Sequence, residues 1–150
     1  MSCISYKLLR IATDMEKIVL PELSYQIIGA CFDAFNEIGG GQKEKYYQKA
    51  VGVCLKARGV RFEEQVHCPL LCDGQAIGRY YLDFLVNDQI VLELKVGNRF
   101  RRQNYDQVKQ YLVEKDRSLG ILVRFDHDSV LFQRVLKPSR HSSVAIRSNL

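Results

Sequence analysis

The stretch YYLDFLVNDQIVLELK, Tyr80 to Lys95, decides how this chain is read. It has the look of two short strands joined by a tight turn at Asn87–Asp88, and it divides by residue parity. Tyr80, Leu82, Phe84 and Val86 are apolar, as are Ile90, Leu92 and Leu94, while the other parity carries Asp83, Glu93 and Lys95. Side chains alternate across a strand, so each set lies on one face. For the two apolar sets to share a face, Phe84 must stand opposite Leu92 and Asp83 opposite Glu93. That register needs a three-residue loop, Asn87 to Gln89, or a bulge, and not a two-residue turn, because slipping by one residue turns every side chain over. Two carboxylates placed opposite one another repel unless a cation lies between them. With Lys95 beside them on an otherwise apolar sheet, they describe a site for a divalent metal.

Working outward, 150 residues fit one domain with a real core. Hydrophobic residues make up 47% and charged residues 26%, which argues against disorder. The net charge of +5 and pI near 9.0 favour an anionic partner, nucleic acid first. No apolar run approaches the roughly 20 residues of a membrane span, and no signal-peptide core is read at the start. The five cysteines are an odd number, and Cys31 and Cys54 fall on apolar helical positions. Reduced thiols and a cytoplasmic setting are expected.

Residues 1–20 are expected to form an N-terminal extension, 21–138 the domain, and 139–150 a polar, basic tail. Pro21 opens a helix in which Ile27, Ile28, Cys31, Phe32, Phe35 and Ile38 recur at three- and four-residue steps. Gly39-Gly40-Gly41 ends it. A second helix is expected from about Lys43 to Arg58, with Tyr47, Ala50, Val51, Cys54 and Leu55 as its buried stripe. Val60 to Val66 reads as a strand, and Asp73-Gly74 as a turn into the central hairpin. Past the basic run Arg99-Phe100-Arg101-Arg102 come a helix from about Gln103 to Asp116, an interior strand from Ser118 to Phe125, and a last strand from Val130 to Leu136. The order is α-α-β-β-β-α-β-β, an α/β (α+β) domain with a mixed central sheet flanked by helices.

Three pieces together resemble a known family. Gly41-Gln-Lys-Glu44-Lys-Tyr-Tyr47 fits the motif that names the GxxExxY proteins, Asp83 … Glu93-Leu-Lys95 is similar to the metal-binding signature of the PD-(D/E)XK nucleases, and Gln107-Val-Lys-Gln-Tyr111-Leu112 resembles the family's Gln-x-x-x-Tyr-Leu helix. The resemblance covers roughly residues 22–138. The chain departs from it at Phe35 and Gly40, where the family often has histidine and proline.

The resemblance implies a restriction-endonuclease-like core and a Mg²⁺- or Mn²⁺-dependent nuclease acting on nucleic acid, DNA ahead of RNA. It implies that Asp83, Glu93 and the Leu94 carbonyl bind the ion with help from Glu44. Lys95 would orient the attacking water, and Gln107 and Tyr111 would hold that water or the phosphate; Tyr47 is carried over last, with core packing as its alternative. Arg99, Arg101, Arg102 and Lys109 are expected to contact phosphates, and a homodimer or a protein partner to supply specificity. Other readings stay open on the residues alone. Glu44 suits any helix start, the three charges would also suit an exposed cross-strand cluster, and His67, Cys68 and Cys72 would make half a zinc site. A non-catalytic nucleic-acid-binding or protein-interaction module on the same fold is the competing function.

Overall fold

The computed structural model describes residues 20–139; the expected N-terminal extension up to residue 19, and the tail from residue 140, lie outside them. The elements follow the expected order: helices α1 (Pro21–Ile38) and α2 (Glu44–Ala57), strands β1 (Phe62–Cys72), β2 (Gln75–Val86) and β3 (Ile90–Val96), helix α3 (Arg102–Glu114), then β4 (Leu119–Phe125) and β5 (Val130–Leu136). The strands form one sheet in the order β1-β2-β3-β4-β5. The β3–β4 pair is parallel, with α3 as its crossover, and the other pairs are antiparallel. The result is a mixed five-stranded sheet flanked by helices, an α+β domain of the restriction-endonuclease-like kind.

Each face of the sheet buries its own apolar layer. Ile27, Ala30 and Ala34 of α1 and Val51 and Leu55 of α2 pack on Leu92, Leu94, Ile121 and Val123. On the other face Val108, Tyr111 and Leu112 of α3 cover Val91 and Leu122. Residues of β3 and β4 are buried on both parities, as interior strands covered on two sides must be. At Gly120 the helix comes so near that a Cβ would lie 2.4 Å from Val108 Cγ1, which leaves glycine the only fit.

The register of the central hairpin is the expected one. Phe84 stands opposite Leu92 and Val86 opposite Ile90, with Asn87, Asp88 and Gln89 between. Asn87 and Asp88 both take positive φ, and Val86 O accepts the Gln89 N–H at 3.0 Å. The tight turn therefore sits on Asn87–Asp88, and Gln89 is the extra residue that sets the register.

Two expectations need correction. First, β1 does not stop near Val66; it runs through Cys68-Pro-Leu-Leu to Cys72, and β2 begins at Gln75, joined by the turn at Asp73 and Gly74, both at positive φ. Second, the apolar residues of β2 do not share a face. Phe84 and Val86 join the layer under α1 and α2, whereas Leu82 and Tyr80 join the one under α3. The change happens opposite Asp83. Gln65 of β1 takes φ +49, and the β1–β2 ladder passes from Glu64↔Phe84 to Val66↔Leu82 without pairing Gln65 to Asp83. A residue in the left-handed region bends its strand as a bulge does, and bulged strands re-aim their side chains.

Candidate active site

Asp83 sits at that bend, where the ladder between β2 and β3 also ends. Only Phe84↔Leu92, Leu85↔Val91 and Val86↔Ile90 pair. Beyond them side-chain carboxylates receive backbone N–H groups across the gap. Leu94 N–H donates to Asp83 Oδ2 at 2.7 Å, and Asp83 N–H donates to Glu93 Oε2 at 3.1 Å. The acids thus hold each other's strand. Asp83 is 4% exposed and Glu93 3%.

Two side chains complete the immediate surroundings. Lys95 Nζ lies 3.2 Å from Glu93 Oε1. On the far side Gln48 of α2 donates its amide to Asp83 Oδ1 at 2.7 Å. Glu44, the first residue of α2, is half-buried one helical turn before Gln48. Its charge reaches both Asp83 and Lys95.

The electrostatics follow from this packing. Burial pushes the Asp83 carboxyl up to about 6, with the Glu44 charge adding to it; the Leu94 N–H, Lys95 and Gln48 work the other way. Burial, then repulsion from Asp83, pushes Glu93 up to about 7 despite the Lys95 ammonium beside it. Burial works against the Lys95 ammonium, but Glu93, Glu44 and Asp83 outweigh it and keep its pKa above the ordinary value. Two buried acids that cannot comfortably both ionise, beside a cation that stays charged, form the sort of strained titrating cluster found at functional sites.

The donor set fits a hard divalent ion. Each of the four carboxylate oxygens has one of these polar partners, and such an oxygen has two lone pairs, so acceptor capacity is left on both acids. A dication would also relieve the mutual repulsion. Among the described residues no three Asp, Glu, His or Cys side chains gather closely enough to hold a metal, so Glu44 stands back from the pair.

The other expected residues divide. Gln107 lines a cleft of about 420 Å³ together with Lys95, Tyr80 and Asn104. Arg99, Arg101, Arg102 and Lys109 are exposed on and after the β3–α3 loop, and Arg102 spends part of its charge on Asp106 at 3.8 Å. Tyr111 lines neither of the two mouths described for the site. It is 1% exposed in the layer under α3, and burial raises its pKa. Tyr47 packs face to face on Phe125 at 4.1 Å and donates its hydroxyl to Gly39 O at 2.7 Å, so it fastens the glycine turn. In that turn a Cβ on Gly40 would lie 1.8 Å from His127 O. Cys68 donates to Glu114 at 3.2 Å, and the four described cysteines are free thiols.

Sequence reasoning missed Gln48, Lys45 and Lys49. A second mouth of about 210 Å³ opens on Asp83 from the α2 side, lined by these three and Glu64. The i, i+4 spacing puts Gln48 on the Glu44 face of α2, but nothing in the sequence singled out the amide before its partner was placed.

The family model for the PD-(D/E)XK nuclease superfamily matches residues 21–135. A crystal structure of a protein designated SSO0001 is similar in fold, with a TM-score of 0.50 and 19% identity over 64% of this chain and 51% of that one. The chain thus spans about half the length of that protein. No curated protein matches the chain. No helix among the described residues is long and apolar enough to cross a membrane.

Proposed function

The chain belongs to the PD-(D/E)XK nuclease superfamily, and on that premise we propose that it is a metal-dependent nuclease, with DNA taken ahead of RNA as substrate. Superfamily nucleases generally use divalent metals. The observation that carries the proposal is the interlocked pair Asp83 and Glu93, buried where the β2–β3 ladder opens, with the Lys95 ammonium at 3.2 Å from Glu93.

Asp83, Glu93 and the Leu94 carbonyl would hold Mg²⁺ or Mn²⁺, and Glu44 would complete the set. Bound there, the ion would neutralise phosphate charge and make water acidic enough to attack. The chain's own groups do the rest. Lys95 stays protonated beside the acids, so it offers a fixed positive charge and N–H donors where the attacking oxygen and the phosphate meet. Gln107 shares the Lys95 cleft and can hydrogen-bond the phosphate or the water from α3. Gln48 holds Asp83 in place, and Lys45 and Lys49 give the opposite mouth two positive charges to meet the polyanion. Tyr111 has no part in this scheme.

Incubation of the purified chain with DNA and RNA, single- and double-stranded, should show cleavage with Mg²⁺ or Mn²⁺ that EDTA stops. Asp83→Asn and Glu93→Gln should each abolish it. Cleavage at the wild-type rate by the doubly substituted protein would refute the assignment. The set-back position of Glu44 favours one alternative, a nucleic-acid-binding module without turnover, which the same assay would reveal as salt-sensitive binding with no product.

A further inference from the structure

Among the described residues, Arg124 is the one buried cation, and the proposed chemistry leaves it unused. It lies in β4, in register beside Lys95 of β3, and is 8% exposed. Its guanidinium donates to Gly97 O at 2.8 Å, meets Asp126 at 3.2 Å, and lies 5.4 Å from the centre of the Phe100 ring. Its Nε is buried with no partner among the described residues. A buried donor left unmade costs stability, and an apolar side chain would fill the same space without that cost. Packing alone therefore does not account for an arginine here.

Its contacts converge on one segment. Gly97 begins the loop from β3 to α3, and Phe100 sits in its middle. The Phe100 ring is held between the Arg124 guanidinium and Tyr105, 5.9 Å away edge-on, and packs against the layer under α3. The loop's end is tied as well, because Asn104 Oδ1 accepts the Arg101 N–H at 2.9 Å. With Phe100 drawn inward, its neighbours Arg99 and Arg101 are left outside, exposed and in no ion pair among the described residues. The loop starts two residues after Lys95.

We propose that Arg124 is a positioning residue that clamps the Gly97–Arg101 loop through Gly97 O and the Phe100 ring, so that Arg99 and Arg101 stand as a paired grip on the phosphate backbone beside the Lys95 cleft. A planar guanidinium suits the task, since it donates in the plane while stacking on an aromatic face. The inference rests on the nuclease reading for the identity of the polyanion. It does not depend on turnover.

The test is the salt dependence of binding, measured by anisotropy on the full chain with a labelled DNA duplex in EDTA between about 50 and 200 mM salt. Each duplex phosphate released flattens the slope of log affinity against log salt by about 0.9. Arg99→Ala with Arg101→Ala should therefore flatten it by about 1.8. Arg124→Met should flatten it by a similar amount, and should add nothing when combined with the double substitution. Phe100→Ala changes no charge and should act the same way, so it decides the matter if Arg124→Met does not fold. Wild-type slopes in Arg124→Met and Phe100→Ala would overturn the proposal. So would further flattening by Arg124→Met in the double background, which would mean a direct phosphate contact. A wild-type protein that binds with a steep slope but never cleaves would sink the nuclease reading and leave this inference standing.

Discussion

Glu93→Gln should make the protein more stable at alkaline pH while abolishing the proposed nuclease activity. Folding raises Glu93 from 4.5 to about 7 and Asp83 from 3.8 to about 6. Between those limits the folded chain keeps protons that the unfolded chain has released. The pair's contribution to stability is therefore most favourable below about pH 4 and falls as pH climbs through about 7. At 1.36 kcal/mol per pH unit, the interval for Glu93 alone corresponds to about 3 kcal/mol. The shares of the two acids overlap because they titrate as a pair. Glutamine keeps an acceptor for the Asp83 N–H and removes the repulsion, and the contact it gives up with Lys95 is already counted in the raised value, since Lys95 is among the groups that lower it. The variant should thus exceed the wild type by about 3 kcal/mol near pH 8 and lose most of the advantage near pH 5. For a chain of this length that is a Tm difference of about 6–12 °C. Thermal and urea unfolding across this range in EDTA would measure it. Mg²⁺ at about 100 times its Kd should then raise the wild type by about 2.7 kcal/mol near pH 8 and the variant by much less. A gap between the two proteins that does not widen with pH would refute the charge-strain account of the pair.

Lys95→Met should lower cleavage on the order of 100- to 1000-fold, measured as kcat, while duplex affinity at fixed salt changes less than about threefold. Gln48→Ala should weaken Mg²⁺ affinity by about 10- to 100-fold, read from the metal dependence of Tm, because Asp83 loses the amide that orients it. Gly120→Ala should cost about 1–3 kcal/mol in urea unfolding, since its methyl would meet Val108, with cleavage per folded molecule unchanged.

The central hairpin was legible because its two strands are short and its apolar residues leave one workable register, which the three-residue loop satisfies. The distal part of the β1–β2 arm was not. Leu70, Leu71 and Ile77 are 39–66% exposed there, so no buried face imprints a period on Pro69 to Arg79. The change of face in β2 was hidden for a different reason, since it depends on Gln65 adopting a backbone conformation that glutamine seldom takes. Among the candidate residues, Asp83, Glu93 and Lys95 could be read from parity, and the structure adds their contacts. The burial of Tyr111 was not legible, because a tyrosine on a helix looks alike whether it faces a cleft or fills a core. Gln48 was silent because a lone amide on an amphipathic helix carries no pattern until its partner is seen.

The aperture between β2 and β3 exists because carboxylates occupy the N–H groups that flank it. Shortening either side chain to alanine frees those groups to seek carbonyls, which would invite the two strands to zip shut. An inert alanine variant would then have lost its doorway along with its reagents, so amide replacements are the cleaner knockouts here. By the same logic, a descendant of this chain that discarded its acids would tend to seal the sheet, and its retirement from catalysis would be written in the backbone.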